Sequence, residues 1–322
     1  MRLAGRRSRE NKNRSMSNSF TTFRTPNPEV IISLDVSADG KLLAVGQQAD
    51  ENSGISLSLW ELPGLQLAAK LETEESCLAV RFSPTGKMLA YSDPEQELVL
   101  FDLHTNTMNT EAFPLAFTKW MSFAWDRNRL IAGGTRTEVW DAEKNGVIFT
   151  LPVDALSASR SIEPPSCALS PDGAMVAASG VEPGRIVIYD IQSGQIVNRL
   201  ENTMDKARSL AFAPNGRFIA AVATTGGAGL WDLQSGKAVL PDLLNMQTDY
   251  YWCVRFHPDG EHVAFGLWSG FVELIRIKDG SYSVNQDAPV HRGRVNDVAI
   301  NRQGTRMFSG GDDGVILIWD LE

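Results

Sequence analysis

The feature that most constrains this chain is a short pattern that recurs seven times at nearly constant spacing. In each instance an apolar run ends in an aromatic residue followed by an acidic one, or in a degraded version of that pair. The central residues lie 41, 39, 49, 42, 45 and 43 positions apart. A period of about 40–45 residues is typical of a four-stranded propeller blade. The seven instances are Leu59-Trp60-Glu61, Leu100-Phe101-Asp102, Val139-Trp140-Asp141, Ile188-Tyr189-Asp190, Leu230-Trp231-Asp232, Ile275-Arg276-Ile277 and Ile318-Trp319-Asp320.

A second recurring signal is a four-residue turn that ends in glycine and precedes most of these pairs. Proline sets φ to about −65° at the second position, Asp or Asn tolerates the third, and glycine accepts positive φ at the fourth. Apolar residues flank the turns, so each turn predicts a hairpin. The third unit has only an eroded copy, Phe123-Ala124-Trp125-Asp126. The six turns are Ser37–Gly40, Ser83–Gly86, Ser170–Gly173, Ala213–Gly216, His257–Gly260 and Asn301–Gly304.

The units resemble those of the WD-repeat family over nearly the whole chain, and the seventh unit matches best. In that family a buried His, Ser, Asp and Trp form a hydrogen-bonded network inside a blade. The fifth and sixth units carry Thr203 and Gln247 at the histidine position, so the network is expected in one blade only. The resemblance implies that its members are His291, Ser309, Asp313 and Trp319.

We therefore expect an all-β fold, a seven-bladed β-propeller of four-stranded antiparallel blades. The last aromatic-acidic pair lies at the end of the sequence, so the seventh blade needs an outer strand from elsewhere. Residues 19–24 are a spare β-prone segment, and we expect them to complete that blade and close the ring, as the family also does. The single propeller domain is expected to span residues 18–322.

Residues 1–17 are predicted to form a disordered basic tail. Residues 1–24 carry seven Lys or Arg against one acidic residue, whereas the remainder has a net charge of −15. An acidic body disfavours a general nucleic-acid surface, so contact with nucleic acid or acidic lipid is expected only from the tail. A start at Met16 would keep every unit, and the sequence leaves open whether residues 1–15 belong to the functional protein.

The sequence predicts a cytoplasmic protein. It contains no run of 18 or more apolar residues that would span a membrane, and its N-terminus lacks the apolar core of a secretory signal. Its cysteines lie in or beside the first strands of alternate blades, where we expect buried, unpaired thiols. They are Cys77, Cys167 and Cys253.

No group of residues is typical of catalysis, of a cofactor site or of a metal site. His257 and His262 flank a turn that contains Asp259, but two His and one Asp are a poor copy of a metal site, which has three or four converging ligands and a second shell. The glycine-rich segment 224–229 lacks the lysine and the helix of a phosphate-binding loop. We therefore predict no catalytic, cofactor-binding or metal-binding residues.

The central channel is expected to be lined by small and apolar side chains from the innermost strands. A rival hypothesis is a propeller hydrolase or lactonase, which would need at least three carboxylate or imidazole groups at the channel mouth. Another is a regulatory subunit of a separate enzyme. The expected channel residues are Leu34, Val80, Cys167, Leu210, Val254 and Val298.

The loops that enter the innermost strands are the expected binding surface, because in the WD-repeat family they open on one face and commonly contact partners. In blades five to seven they carry basic and aromatic residues, which dominate binding hot spots. We predict a non-catalytic interaction scaffold or adaptor that binds a protein, specifically an acidic or phosphorylated peptide; its oligomeric state stays open. The alternative is that the aromatic residues only cover the end of blade six. The predicted partner-binding residues are Lys206, Arg208, Tyr250, Trp252, Arg294 and Asn296.

Overall fold

The computed structural model describes most of the chain downstream of the predicted tail, and its described part contains 28 strands. No helix in that part is long and apolar enough to cross a membrane. The tail, the eroded turn at 124–126, Thr203, Lys206 and Gln247 lie outside the described residues. The described residues are 20–26, 29–49, 55–72, 76–92, 98–109, 120–123, 129–133, 137–141, 144, 146–152, 166–179, 181, 184–201, 207–239, 249–278, 282–284 and 289–321.

The strands form seven antiparallel four-stranded sheets, which confirms the predicted blade count. Each of the first four blades contains four consecutive strands, which follow one another from the centre of the disc outward. Blade one is β2 (Ile31–Val36), β3 (Leu42–Gln47), β4 (Ile55–Glu61) and β5 (Gln66–Glu72). Blade two is β6 (Ala79–Phe82), β7 (Met88–Ser92), β8 (Leu98–Asp102) and β9 (Thr107–Asn109). Blade three is β10 (Trp120–Phe123), β11 (Arg129–Gly133), β12 (Thr137–Asp141) and β13 (Gly146–Thr150). Blade four is β14 (Cys167–Leu169), β15 (Met175–Ser179), β16 (Arg185–Asp190) and β17 (Ile196–Glu201).

The last three blades follow the same order, except that blade seven takes its outer strand from the other end of the chain. Blade five is β18 (Ala207–Phe212), β19 (Phe218–Ala223), β20 (Ala228–Asp232) and β21 (Lys237–Val239). Blade six is β22 (Tyr251–Phe256), β23 (His262–Leu267), β24 (Val272–Arg276) and β25 (Tyr282–Val284). Blade seven is β26 (Val295–Ile300), β27 (Arg306–Gly311), β28 (Val315–Asp320) and β1 (Phe20–Arg24).

Strand β1 closes the ring, as the sequence predicts. It runs antiparallel to β28, with Phe20 opposite Trp319. The Phe20 and Trp319 rings lie 4.7 Å apart, and the Phe23 ring lies 4.9 Å from that of Trp60 in blade one. The closing strand therefore completes blade seven and also contacts the neighbouring blade. Innermost strands of successive blades contact one another around the ring, and β26 contacts β2.

The core is divided among the spaces between neighbouring blades. Seven clusters of buried apolar residues fill these spaces in the described part of the chain. Between blades seven and one, for example, Phe308 and Ile316 pack with Leu34 and Leu43. Because middle strands such as β19 are covered on both faces, they read as continuous apolar runs. The three cysteines are buried in this packing, as predicted, and form no disulfide.

Antiparallel pairing assigns every connection to one of two faces of the disc. The loops that enter the innermost strands and the turns between second and third strands open on one face, which we call the loop face. The glycine-ended turns between first and second strands open on the opposite face, which we call the turn face. In the blade-six turn the amide of Gly260 donates to the carbonyl of His257 at 3.0 Å, and Gly260 has a φ of 68°. That left-handed backbone explains the recurrent glycine.

Candidate functional site

A β-bulge at the start of the innermost strand re-aims one side chain in each of four blades. The β26–β27 pairing, for example, joins Val295 and Asp297 to successive partners and skips the residue between them. Such bulges leave one residue unpaired and turn its side chain away from the regular alternation. The four skipped residues are Ile32, Arg208, Trp252 and Asn296, and all four line one cavity at the loop face.

This cavity has a volume of about 400 Å³ and extends from the loop face into the central channel. Its described lining is strongly basic, although the whole chain has a formal net charge of −9. Four arginines line it against a single carboxylate, that of Asp297. The four are Arg81, Arg208, Arg255 and Arg294.

Two arginines and two tryptophans form a stacked group at the cavity mouth, which we call the Trp–Arg cluster. The guanidinium carbon of Arg208 lies 3.2 Å from the ring centre of Trp252. That of Arg294 lies 4.7 Å from Trp252 and 4.8 Å from Trp268. The two indoles meet edge to face, with their centres 5.0 Å apart. Each contact is within the range of an attractive cation–π or aromatic pair.

Arg294 is held in place by an ion pair on the same face. Its Nε and Nη2 donate to the two oxygens of Asp312, at 2.9 and 3.0 Å. Asn296 donates from Nδ2 to Asp312 at 2.9 Å and to the carbonyl of Ile31 in blade one at 3.0 Å. Burial acts to raise the pKa of Asp312, but the hydrogen bonds from Arg294 and Asn296 lower it below its ordinary value. The cluster is therefore fixed at the blade six–blade seven boundary.

The other two predicted residues stand apart from the cavity. Lys206 lies outside the described residues. Tyr250 is 55% exposed and does not line the cavity; its ring packs on the backbone of Gly226, where an added Cβ would overlap it. Four of the six predicted residues thus gather at one cavity mouth, and Tyr250 lies beside them on the loop face.

Trp268 belongs to the Trp–Arg cluster but was not predicted from the sequence. It lies in the turn between β23 and β24 and is 48% exposed, and its amide donates to the carbonyl of Tyr250 at 2.8 Å. The sequence-based prediction considered only loops that enter innermost strands. The turns between second and third strands open on the same face, and the pair Trp268-Ser269 in such a turn was the available signal.

The prediction that the channel is lined by small apolar side chains is wrong. Leu34, Val80, Val254 and Val298 pack between blades. They line neither the loop-face cavity nor a smaller cavity at the opposite end of the channel, whereas Cys167 and Leu210 do line the loop-face cavity. Successive side chains of a strand point to opposite sides, and most of the predicted residues point towards a neighbouring blade instead of the channel. The side chains that reach the channel belong to the residues next to the predicted ones, and the charged members are Asp35, Arg81, Arg255 and Asp297.

Asp297 is the centre of a polar network that crosses the channel. Its carboxylate lies 3.2 Å from Arg81 and 3.2 Å from Arg255, which come from blades two and six. It also accepts hydrogen bonds from the Ser33 hydroxyl at 3.0 Å and the Leu34 amide at 3.1 Å. Its side chain is 7% exposed, so the two cations compensate a buried charge.

Asp35 lines a second, smaller cavity of about 160 Å³ at the turn-face end of the channel. Its carboxylate accepts a 2.6 Å hydrogen bond from the amide of Phe82 in blade two. Burial raises the pKa of Asp35 to about 6, against the opposing effect of the Arg81 charge. Arg81 and Arg255 line both cavities, so these two side chains lie between the loop-face end and the turn-face end of the channel.

The four residues of the expected blade-seven network are joined in one chain of hydrogen bonds. The indole of Trp319 donates to the Ser309 hydroxyl at 3.3 Å, and that hydroxyl lies 2.9 Å from Nε2 of His291. Nδ1 of His291 lies 3.0 Å from Asp313. Every bond is satisfied if His291 is neutral and protonated on Nδ1. In blade one the corresponding Trp60 donates instead to Ser58, at 2.8 Å.

Comparison with known proteins agrees with this architecture. The family model described as "WD domain, G-beta repeat" matches residues 286–320. Jouberin from Rattus norvegicus is 26% identical over 143 residues, which is 42% of this chain and 13% of jouberin. WD repeat-containing protein SL1-17 from Schistosoma mansoni is 26% identical over 149 residues, 46% of this chain and 48% of that protein.

A third relative is similar over a shorter region. Small ribosomal subunit protein RACK1 from Neurospora crassa is 33% identical over 75 residues, which is 23% of each chain. The matches thus cover less than half of the length of each of these three curated relatives. The matches support the presence of WD-type repeats in this chain. They do not extend to the activity or the partners of the whole relatives.

Proposed function

We propose that this chain, a divergent member of the WD-repeat family, is a non-catalytic protein-interaction scaffold or adaptor. It holds an acidic or phosphorylated segment of a partner protein at the loop-face cavity. The observation that carries the proposal is the lining of that cavity, in which four arginines and one aspartate surround a space of about 400 Å³. Similarity to WD-repeat proteins fits a role in protein interaction generally.

The charge of the cavity supports an acidic partner. Carboxylate and phosphate groups bind arginine through paired hydrogen bonds, which are stronger than those between neutral groups. Asp297 offsets part of the positive charge, since it contacts Arg81 and Arg255. Asp312 likewise offsets the charge of Arg294, so the positive charge at the mouth comes chiefly from Arg208, which contacts Trp252.

The Trp–Arg cluster supports binding of an extended segment. Trp252 is half-buried and contacts both Arg208 and Arg294, so its ring is ordered before a partner arrives. A pre-ordered indole offers apolar contact area at low cost in side-chain entropy. Trp268 and Tyr250, which are 48% and 55% exposed, extend that surface across blade six. Their exposure favours a binding role over the alternative that these aromatic residues only cover the blade.

The residues that line the channel give less support to the rival hypothesis, a propeller hydrolase or lactonase. The described lining of the channel contributes two carboxylates, Asp35 and Asp297, where the hypothesis requires at least three carboxylate or imidazole groups. The oxygens of Asp297 are bound by Arg81 and Arg255. A role as the regulatory subunit of a separate enzyme remains compatible with the proposal, because such a subunit also acts by binding. The proposal includes a cytoplasmic location, where free thiols persist.

The proposal is tested with a library of fluorescein-labelled peptides in which acidic, phosphorylated and neutral versions share one backbone sequence. Binding to the purified chain is measured by fluorescence anisotropy. We expect acidic or phosphorylated peptides to bind and their neutral versions not to bind. Replacing Arg208 or Trp252 by Ala should weaken binding by about 1–4 kcal/mol. Added salt should reduce the part of the affinity that depends on Arg208.

Lys41→Ala is the matched control, because Lys41 is an exposed cation of the turn face that pairs only with neighbouring Asp39 among the described ion pairs. Its removal changes the net charge equally but should leave peptide affinity unchanged. A bound peptide whose affinity ignores both Arg208→Ala and Trp252→Ala would contradict the proposed surface. Equal binding of acidic and neutral peptides would contradict the proposed chemistry.

A further inference from the structure

Two imidazoles and a carboxylate converge on the turn face of blade six, far from the loop-face cavity. Nδ1 of His257 lies 3.0 Å from Oδ2 of Asp259, and Nδ1 of His262 lies 2.7 Å from the same oxygen. The three ligand atoms all lie within 4.8 Å of one another. The three side chains are 16%, 36% and 22% exposed, so the group is partly shielded and still accessible.

The other blades show what this turn does without the two histidines. In the blade-four turn Ser170 occupies the position of His257, and its hydroxyl donates to Asp172 at 2.6 Å. Met175 occupies the position of His262 there. Blade one repeats the same arrangement with Ser37, Asp39 and Leu42. An ordinary turn of this type therefore needs neither imidazole, and blade six places one on each side of its aspartate.

The hydrogen bond on the far side of His257 fixes which nitrogen faces Asp259. Nε2 of His257 lies 2.9 Å from the carbonyl of Gly304 in blade seven. A carbonyl only accepts, so Nε2 carries the proton, and in the neutral ring Nδ1 presents a lone pair. That lone pair faces the carboxylate oxygen of Asp259 at 3.0 Å and receives only a 3.3 Å contact from the Asp259 amide. In the neutral ring two acceptors therefore face each other, a conflict that either a proton on Nδ1 or a bound metal ion removes.

The remaining contacts leave the same Asp259 oxygen available. Oδ1 of Asp259 accepts from the amides of Glu261 and His262, at 2.7 and 3.1 Å. Those two bonds orient the carboxylate so that Oδ2 points between the imidazoles. A backbone carbonyl that holds the outer nitrogen of a histidine is the usual support of a metal-ligating imidazole.

We propose that His257, Asp259 and His262 form a binding site for one divalent transition-metal ion of the zinc class. Two imidazole nitrogens and one carboxylate oxygen suit zinc and its neighbours, whereas magnesium and calcium prefer oxygen ligands alone. Tetrahedral ligands of zinc lie about 3.3 Å apart, given bonds of about 2.0–2.1 Å. The present separations, 3.0 and 2.7 Å for the two nitrogen–oxygen pairs and at most 4.8 Å for any pair, bracket that value. The fourth position opens to solvent and takes a water molecule.

The bound ion would stiffen the blade-six turn where it contacts blade seven. His257 is anchored on Gly304, whose position lies so close to the ring that an added Cβ would overlap it. His262 begins the second strand of blade six. Metal bound by both histidines therefore fixes the His257 side chain, through which the blade-six hairpin contacts the blade-seven turn on the turn face. The site is independent of the proposed peptide surface, which lies on the opposite face.

The test measures Zn²⁺ binding to the purified full chain by competition with a chromophoric chelator, followed by Co²⁺ absorption spectroscopy. We expect one Zn²⁺ per chain and a Co²⁺ spectrum of nitrogen and oxygen ligands. The double substitution His257→Ser with His262→Met installs the residues of the blade-four turn. It should remove the site, and His262→Met alone should weaken Zn²⁺ binding by about tenfold or more.

Asp172→Asn is the matched control, because Asp172 occupies the position of Asp259 in a turn without histidines. It should leave Zn²⁺ affinity unchanged. Circular dichroism and the metal-free Tm show whether the variants fold, and the single variant decides the outcome if the double one does not. A wild-type chain that binds no Zn²⁺ at about 100-fold molar excess of metal over protein overturns the proposal. Equal Zn²⁺ binding by wild type and by a folded histidine variant also overturns it.

Discussion

The guanidinium carbon of Arg208 lies 3.2 Å from the ring centre of Trp252, although the two residues belong to different blades. Each is the residue skipped by a β-bulge at the start of its innermost strand. Regular strands would give these positions a different direction. The two bulges therefore create the contact, and the contact links blades five and six at the mouth of the cavity.

The Arg208–Trp252 contact should be measurable as a coupling energy in the unliganded protein. We expect a double-mutant cycle with Arg208→Ala and Trp252→Ala to give a coupling of about 0.5–2 kcal/mol in the free energy of unfolding. Urea denaturation of the four proteins provides the measurement. A cycle that pairs Trp252→Ala with Lys41→Ala, on the opposite face, should give none. Strictly additive effects of Arg208→Ala and Trp252→Ala would mean that the stacking contributes nothing to stability.

His291→Ala should destabilise the protein by about 1–3 kcal/mol, because it removes the hydrogen bonds that the buried imidazole makes to Asp313 and Ser309. The measurement is chemical denaturation at neutral pH. His104→Ala is the matched control, since His104 is exposed in a turn of blade two, and it should change stability by about 0.5 kcal/mol or less. Similar losses in the free energy of unfolding for the two variants would show that the hydrogen-bonded network of blade seven does not contribute to stability.

The repeat made the architecture predictable, because each unit carries its own local signals. The aromatic-acidic pairs end the third strands, and the glycine-ended turns join the first to the second, so blade count and strand order follow from spacing alone. Ring closure was predictable for a different reason: residues 19–24 were a β-prone segment with no blade of their own. Phe20 and Phe23 supply the apolar contacts that hold that strand.

The lining of the channel was not predictable in the same way. Successive side chains of a strand point to opposite sides, and the apolar pattern alone does not show which side faces the channel. The sequence pattern predicts Leu34, Val80 and Val254 in the channel, but each is followed by a charged residue that reaches the channel instead. The charged residues on the innermost strands were a visible signal that the prediction passed over. The bulges are a second limit, since no residue in the sequence marks where pairing will skip a position. Counting from the turns still found Arg208, Trp252 and Asn296.

Asp35 should make stability depend on pH between about 4 and 6. Burial raises its pKa to about 6 from an ordinary 3.8, so in this window the folded state binds more protons than the unfolded chain. Stability from this group is therefore highest at low pH and falls as the pH rises. Relative to Asp35→Asn, wild type should lose about 2 kcal/mol between pH 4.5 and pH 8. Urea denaturation of both proteins across that range provides the test.

Comparison with the variant cancels the contributions of the other titrating groups. Asn can still accept the hydrogen bond from the Phe82 amide, so the variant keeps the main polar contact of Asp35. If the stability difference between the two proteins stays constant over the whole pH range, Asp35 is not the group that titrates.

Removal of the closing strand should destabilise the ring far more than removal of the tail. Deleting residues 1–15 takes away none of the described residues, and the Tm should stay nearly constant. Deleting residues 1–26 removes β1 and exposes the edge of β28, which should lower the free energy of unfolding by several kcal/mol. Phe23→Ala should cost about 1–3 kcal/mol through its contact with Trp60. Equal behaviour of the two truncations would contradict the closure.

The closed ring also constrains the order in which the protein folds. Phe20 pairs with Trp319, about 300 residues further along the chain, whereas the other strand pairings of the described blades join consecutive strands. Local hairpins form quickly, and contacts of such long sequence separation form late. During synthesis the first six blades have all their strands before the seventh does. Strand β1 emerges earliest among the described strands and must wait for β28, so its unpaired backbone is open to pairing with other chains until synthesis ends.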